Sequence, residues 1–149
     1  MKPIKTCILV ADGANARAYL NSGPGRGISE LPAYTRNIDL KASRDIDADR
    51  PGRTFDSGGQ GRHAMESPTD SQRHAKDEFA RNLAQKINAA MVAGEFDRLV
   101  LIAAPATLGD LRKHLSKQSS DNIHGEISKD LTQASDKEIL GQVGSVLAV

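Results

Sequence analysis

Asp56-Ser57-Gly58-Gly59-Gln60-Gly61-Arg62-His63-Ala64-Met65-Glu66 places three glycines in four residues beside a cation and an imidazole. Glycines let a backbone take positive φ and come close to another chain, so the string suits contact with a partner. A second group, His63, Asp70, His74 and Glu78, contains potential metal ligands. Only His74 and Glu78, four apart on one helix face, are neighbours by spacing alone. They read as an exposed or partner-binding pair, and no metal site is expected. Two-metal hydrolysis needs carboxylates converging on ions about 3.5–4 Å apart. Asp12 closes one apolar run, but the other ends in Ala103-Ala104-Pro105, and Asp77 and Glu78 have no strand carboxylate to join. A nuclease reading therefore falls behind a solvated helix face. Cys7 lies within an apolar run and reads as a small core residue. No nucleophile triad, phosphate loop or cofactor is expected.

The elements that must position these residues follow from periodicity. Cys7-Ile8-Leu9-Val10-Ala11 and Leu99-Val100-Leu101-Ile102-Ala103-Ala104 are unbroken apolar runs, the mark of strands covered on both faces. They are expected side by side at the centre of a sheet, parallel through a right-handed crossover. Between Asp12-Gly13 and Asn21, Ala16, Ala18 and Leu20 alternate with Arg17, Tyr19 and Asn21, a strand with one inward face, hairpin-paired with the first. Residues 28–39 read as a weaker edge strand because Pro32 removes a ladder donor. Leu40 to Ser67 has no periodicity and reads as a long, mobile contact loop. Thr69-Asp70-Ser71-Gln72 resembles a helix capping box, and Phe79, Leu83, Ile87 and Met91 recur every four residues up to Gly94. A short helix capped by Thr107 buries Leu108, Leu111 and Leu115. A final strand carries Ile123, Ile127 and Leu131, and a second capping box, Ser135 to Glu138, opens a helix burying Ile139, Leu140, Val143, Val146 and Leu147. The expected fold is α/β, a mixed five-stranded sheet flanked by three helices, in the element order of ribonuclease H-like domains.

At 149 residues the chain suits one domain, residues 1–149, with a loop at about 40–68. Twenty Lys and Arg against 19 Asp and Glu create no overall basic field, so nucleic-acid contact must be local. One cysteine excludes an intramolecular disulfide, and the five apolar residues from Cys7 to Ala11 are too few for a signal-peptide core. These features predict a cytoplasmic protein without membrane contact, and they select no oligomeric state.

Asp12-Gly13-Ala14-Asn15-Ala16-Arg17, Asp56-Ser57, Arg62-His63-Ala64-Met65-Glu66, Phe79-Ala80 and Lys129-Asp130-Leu131 resemble the bacterial host-attachment family, proteins required for attachment to host cells. The likeness runs nearly end to end. That family is distantly similar to the middle domain of archaeal and eukaryotic peptide-chain release factors and of the ribosome-rescue protein Pelota. There, a strand ends in Val-Asp-Gly and a Gly-Gly-Gln loop precedes a long helix; here Val10-Ala11-Asp12-Gly13 and Gly58-Gly59-Gln60 stand in those places. The resemblance implies a release-factor middle-domain-like fold and, for Gly58, Gly59 and Gln60, a tip able to hydrolyse peptidyl-tRNA esters. Release factors follow that tripeptide with several arginines, whereas this chain has one, Arg62, and an acid, Glu66. The expected role is therefore non-catalytic association with the ribosome, tRNA or rRNA, acting indirectly on host attachment. Ester hydrolysis and a regulatory protein interaction outside translation are the alternatives. The residues expected to bind are Asp12, Arg17, Arg62, His63, Glu66, His74, Lys76 and Lys129.

Overall fold

Thr6–Ala11 forms β1, with all six residues buried, because its apolar side chains find cover on both faces of a sheet. The computed structural model describes residues 2–40 and 61–149, with the side chains of the second stretch described from Asp70 onward. β1 is followed by β2 (Asn15–Asn21), β3 (Ser29–Glu30), a 3-10 turn (Pro32–Tyr34) and β4 (Arg36–Asn37). Then come α1 (Gly61–Val92), β5 (Arg98–Ala103), α2 (Pro105–His114), α3 (Lys117–Asp121), β6 (Ile123–Ile127) and α4 (Asp136–Val143). The strands form a mixed, six-stranded sheet in the order β3-β2-β1-β5-β6, with β4 also paired to β2. β1 pairs antiparallel with β2 and parallel with β5, in the register Cys7 to Leu99 through Ala11 to Ala103.

Both central strands are where their apolar runs require them. Cys7, Leu9, Leu99 and Leu101 face α1 and α2, packing on Phe79, Leu83, Ile87, Met91, Leu108 and Leu111. Ile8, Val10, Val100 and Ile102 face the other way, onto Ile139, Val143 and Leu147. The sheet is thus a middle layer between helices, as the crossover rule demands.

Several expectations need correction. Among the described residues, six strands and four helices replace five and three. The predicted strand over residues 28–39 is split into β3 and β4, because Pro32-Ala33-Tyr34 closes a 3-10 turn with Thr35 N–H on the Pro32 carbonyl. β2 is not covered on one face only: Tyr19 and Asn21 are buried as fully as Ala16 and Ala18. α1 starts at Gly61, so Thr69 to Gln72 lie inside the helix rather than capping it, and residues 61–67 are not loop. Ala64, Met65 and Glu66 are good helix formers ahead of Pro68. The remainder of the expected loop, 41–60, lies outside the described residues. Thr107 is buried within α2, which starts instead from Ala104 without a side-chain cap. Lys117–Asp121 is helical because the Ser116 hydroxyl accepts from the Ser119 N–H. Leu131 lies beyond β6. Of the residues expected to be buried by the last helix, Leu140 and Val146 are only half-buried.

Two expected stops are present. Gly94, at φ 77°, donates to Met91 and ends α1 in the left-handed conformation glycine favours. The Ser135–Glu138 capping box is made in both directions at α4. Among the described residues, no helix is long and apolar enough to cross a membrane.

Candidate functional site

β1, β5 and β6 are parallel, so their carboxyl ends lie on one edge of the sheet, the edge where open α/β sheets place ligands. Asp12 is the first residue beyond β1. Its Oδ1 accepts from the backbone N–H of Ala14 at 2.7 Å and of Asn15 at 2.6 Å, closing the turn into β2. The Asn15 side chain donates to the same carboxylate, and Thr132 Oγ1 lies 3.0 Å from Oδ2. Partial burial opposes the charge, but the hydrogen bonds from Ala14, Asn15 and Thr132 outweigh it and hold the Asp12 carboxyl below its ordinary range. Its oxygens are engaged by the turn and by Thr132. Beside it, a Cβ on Gly13 would meet Lys76 Cγ and Cδ at 2.7 Å, so the absence of a side chain lets the Lys76 stem lie across the turn.

Because β5 separates β1 from β6, the segment after β6 must cross the end of β5 to bring Thr132 to Asp12. Arg17, on β2, holds that segment in place. Its guanidinium donates to the carbonyls of Leu131 at 3.1 Å and Ala134 at 2.7 Å, and to the Tyr19 hydroxyl at 3.1 Å. Tyr19 in turn donates to Asp136 at 2.7 Å, on the first turn of α4. Burial, then the bond to Asp136, push the Tyr19 phenol up to about 12. The arrangement ties β2, the 128–135 connection and α4 into one rigid corner. Asp130 completes it by accepting from the Thr132 N–H, and its Oδ1, 2.7 Å from the Thr132 hydroxyl, shares that single proton with Asp12, while Lys129 reaches Gln142 on α4 at 3.2 Å.

The other expected residues lie on α1. His74 is exposed, and Lys76 is half-buried against Gly13. Glu78 pairs with Arg81 rather than joining His74. Arg73 is tied to Asp110 on α2. Arg62, His63 and Glu66 fall in the first turns of α1, with side chains outside the described region, and Gly58, Gly59 and Gln60 lie outside the described residues altogether. Burial pushes the Cys7 thiol up to about 12, in keeping with a core residue.

Residues 7–143 match the sequence model of the family described as protein required for attachment to host cells. The chain belongs to that family. No curated protein matches it. Two of the segments that carry the resemblance, Asp12 to Arg17 and Lys129 to Leu131, are far apart along this family member's chain but joined in space through Thr132 and the Leu131 carbonyl. At their meeting point the Arg17 Nε is buried without a hydrogen-bond partner among the described residues, while its two terminal nitrogens are engaged.

Sequence reasoning missed Asn15, Tyr19, Thr132 and Asp136, the partners that make this corner. No shared local signal marks them, since Tyr19 is mid-strand in β2, Thr132 follows β6 and Asp136 opens α4. It also missed Asp77, whose carboxylate accepts from Lys113 Nζ at 2.8 Å and His114 Nε2 at 3.0 Å, linking α1 to α2. These bonds, Lys113's the larger effect, pull the Asp77 carboxyl down to about 2.

Proposed function

We propose that this attachment-family chain is a non-catalytic cytoplasmic factor that docks on RNA or the ribosome through the amino-terminal half of α1, and that it influences host attachment indirectly. One observation carries the reading. α1 has 32 residues, which at 1.5 Å per residue is about 48 Å, yet the first of its described side chains to be buried is Phe79. Before that point the helix offers exposed His74 and the Lys76 ammonium, on the same stretch that carries Arg62 and His63 in sequence. Local cations on a helix that runs beyond its fully buried face suit phosphate contact, which needs no overall basic charge. The saturated Asp12 and the clamping Arg17 support a binding role over a catalytic one at the strand ends.

The hydrolytic reading has one feature in its favour: Gly58-Gly59-Gln60 immediately precedes the helix in sequence. The order of parts, a strand closing in Val10-Ala11-Asp12-Gly13, the tripeptide and then a long helix, also supports likeness to the release-factor middle domain and to ribonuclease H-like architecture.

Sedimentation of tagged protein with ribosomes, at low and raised salt, separates the readings. The wild type is expected to co-sediment at low salt and to be released as salt rises. Arg62→Ala with Lys76→Ala should weaken association and flatten its salt dependence, while Gln60→Ala changes little. Ribosome-stimulated peptidyl-tRNA cleavage that requires Gln60 would replace the binding reading. Absence of RNA or ribosome association at every salt concentration would favour a protein partner outside translation.

A further inference from the structure

Away from the strand ends, residues 36–38 run past the buried half of α1 and leave a cavity of about 350 Å³. Its floor is Phe79 and Leu83, both almost wholly covered by the core, and one wall is Ile38, an exposed large apolar side chain. Arg36, Lys86 and the amides of Asn37 and Asn82 complete the lining. Among the described residues, two cations and no carboxylate line it, although the chain as a whole has nearly equal numbers of each sign.

The two cations are held differently. The Lys86 ammonium donates to the Ala33 carbonyl and lies 4.8 Å from the Tyr34 ring centroid, so its position is fixed while two of its three protons remain to donate. Arg36 makes no ion pair among the described residues, which leaves its planar fork able to take both oxygens of a carboxylate or phosphate. The volume is at the small end of the roughly 300–1,000 Å³ of ligand sites, enough for one ring rather than two.

We propose that this cavity binds a small organic anion, a single flat ring bearing a carboxylate or phosphate. The ring lies against Ile38, Phe79 and Leu83, and the anion sits between Arg36 and Lys86. Asn37 and Asn82 can bond polar substituents at the ring edge. This site stands apart from the amino-terminal half of α1 and does not depend on the ribosome reading.

Titration of the full chain, followed by amide and side-chain NMR shifts, tests the assignment with benzoate, phenyl phosphate, inorganic phosphate and the uncharged benzamide. Benzoate or phenyl phosphate should give saturable shifts centred on residues 36–38 and 82–86, and whichever binds tighter identifies the anionic group. Benzamide and inorganic phosphate should each bind about tenfold more weakly or worse, the effect of losing one charge-assisted pair or the ring. Arg36→Gln should lose a similar factor. Ile38→Asp, an exposed change that puts a negative charge on the wall, should abolish binding with the fold intact. Equal binding of benzamide, inorganic phosphate as tight as phenyl phosphate, unaltered binding by Arg36→Gln, or shifts that do not saturate would each overturn the proposal.

Discussion

From Phe79 to Met91, α1 buries Phe79, Ala80, Leu83, Ala84, Ile87, Ala90 and Met91 against the sheet; from Asp70 to Glu78 its side chains are half-buried or exposed and none is fully buried. One continuous helix therefore has two kinds of support. The carboxyl half is held by apolar area removed from water, the main driving force of folding. The described part of the amino half is held to α2 by polar contacts, Arg73 with Asp110 and Asp77 with Lys113 and His114. Six-residue strands span about 20 Å, less than half the length of the helix, so the sheet cannot cover all of α1. The difference teaches that the length of a helix and the length of its buried face are separate properties, and that the excess is available for function.

Substitutions along α1 test that contrast. Ile87→Ala, at a fully buried position, should cost about 2–5 kcal/mol of stability in urea unfolding, as a cavity in the core does. A loss below about 1 kcal/mol would mean that the buried half is not the anchor. Asn88 is the polar counterpart within the same half. Its side chain donates to the His114 carbonyl and accepts from the Ser116 N–H and the Ser119 hydroxyl, so Asn88→Ala should cost about 1–3 kcal/mol by leaving those groups unpaired.

Asp77 marks the border between the halves, and its effect should be smaller and pH-dependent. Its folded-state carboxyl titrates at about 2 against an ordinary 3.8, so its stabilising contribution is present above the ordinary value and is lost as pH falls from there towards 2. The difference in urea midpoint between wild type and Asp77→Asn should persist at about pH 6 and shrink through that acid window. A difference that stayed constant would assign the effect to packing instead. The smallest change is expected at His74→Ala, within about 0.5 kcal/mol, as for other exposed positions without special contacts. If His74→Ala rivalled Ile87→Ala, the division of the helix would fail.

Much of the frame is legible in the sequence because it depends on uninterrupted or periodic apolar residues, which need no long-range information. Ile8 to Val10 and Leu99 to Ile102 specify central strands by being apolar on both faces, and Phe79, Leu83 and Ile87 specify the helix face by their spacing. What depends on partners distant along the chain is not legible. Asp12 and Arg17 stand out as polar residues at a strand end, but their tasks are set by Thr132, Leu131 and Ala134, more than a hundred residues away. The start of α1 is hidden by Pro68 and the cap-like residues after it, which suit the first turn of a helix but here lie inside one. Alternation alone turns Tyr19 outward, because it cannot reveal that α4 covers the second face of β2.

The mixed pairing of β1 sets an order of assembly. Its antiparallel neighbour is reached by closing residues 12–14, its parallel neighbour only by closing residues 12–97. Loop-closure entropy makes the second step roughly 3 kcal/mol costlier. The β1–β2 hairpin, locked by the Asp12 turn, can therefore form on a microsecond timescale and wait as a template, while β5 docks later with α1 already wound. A chain emerging from its amino terminus makes the hairpin before β5 has been synthesised, so one edge of β1 must stay unpaired for the time needed to translate the intervening residues. Through that interval β1 presents an unpaired apolar edge, which is a template for pairing with another chain.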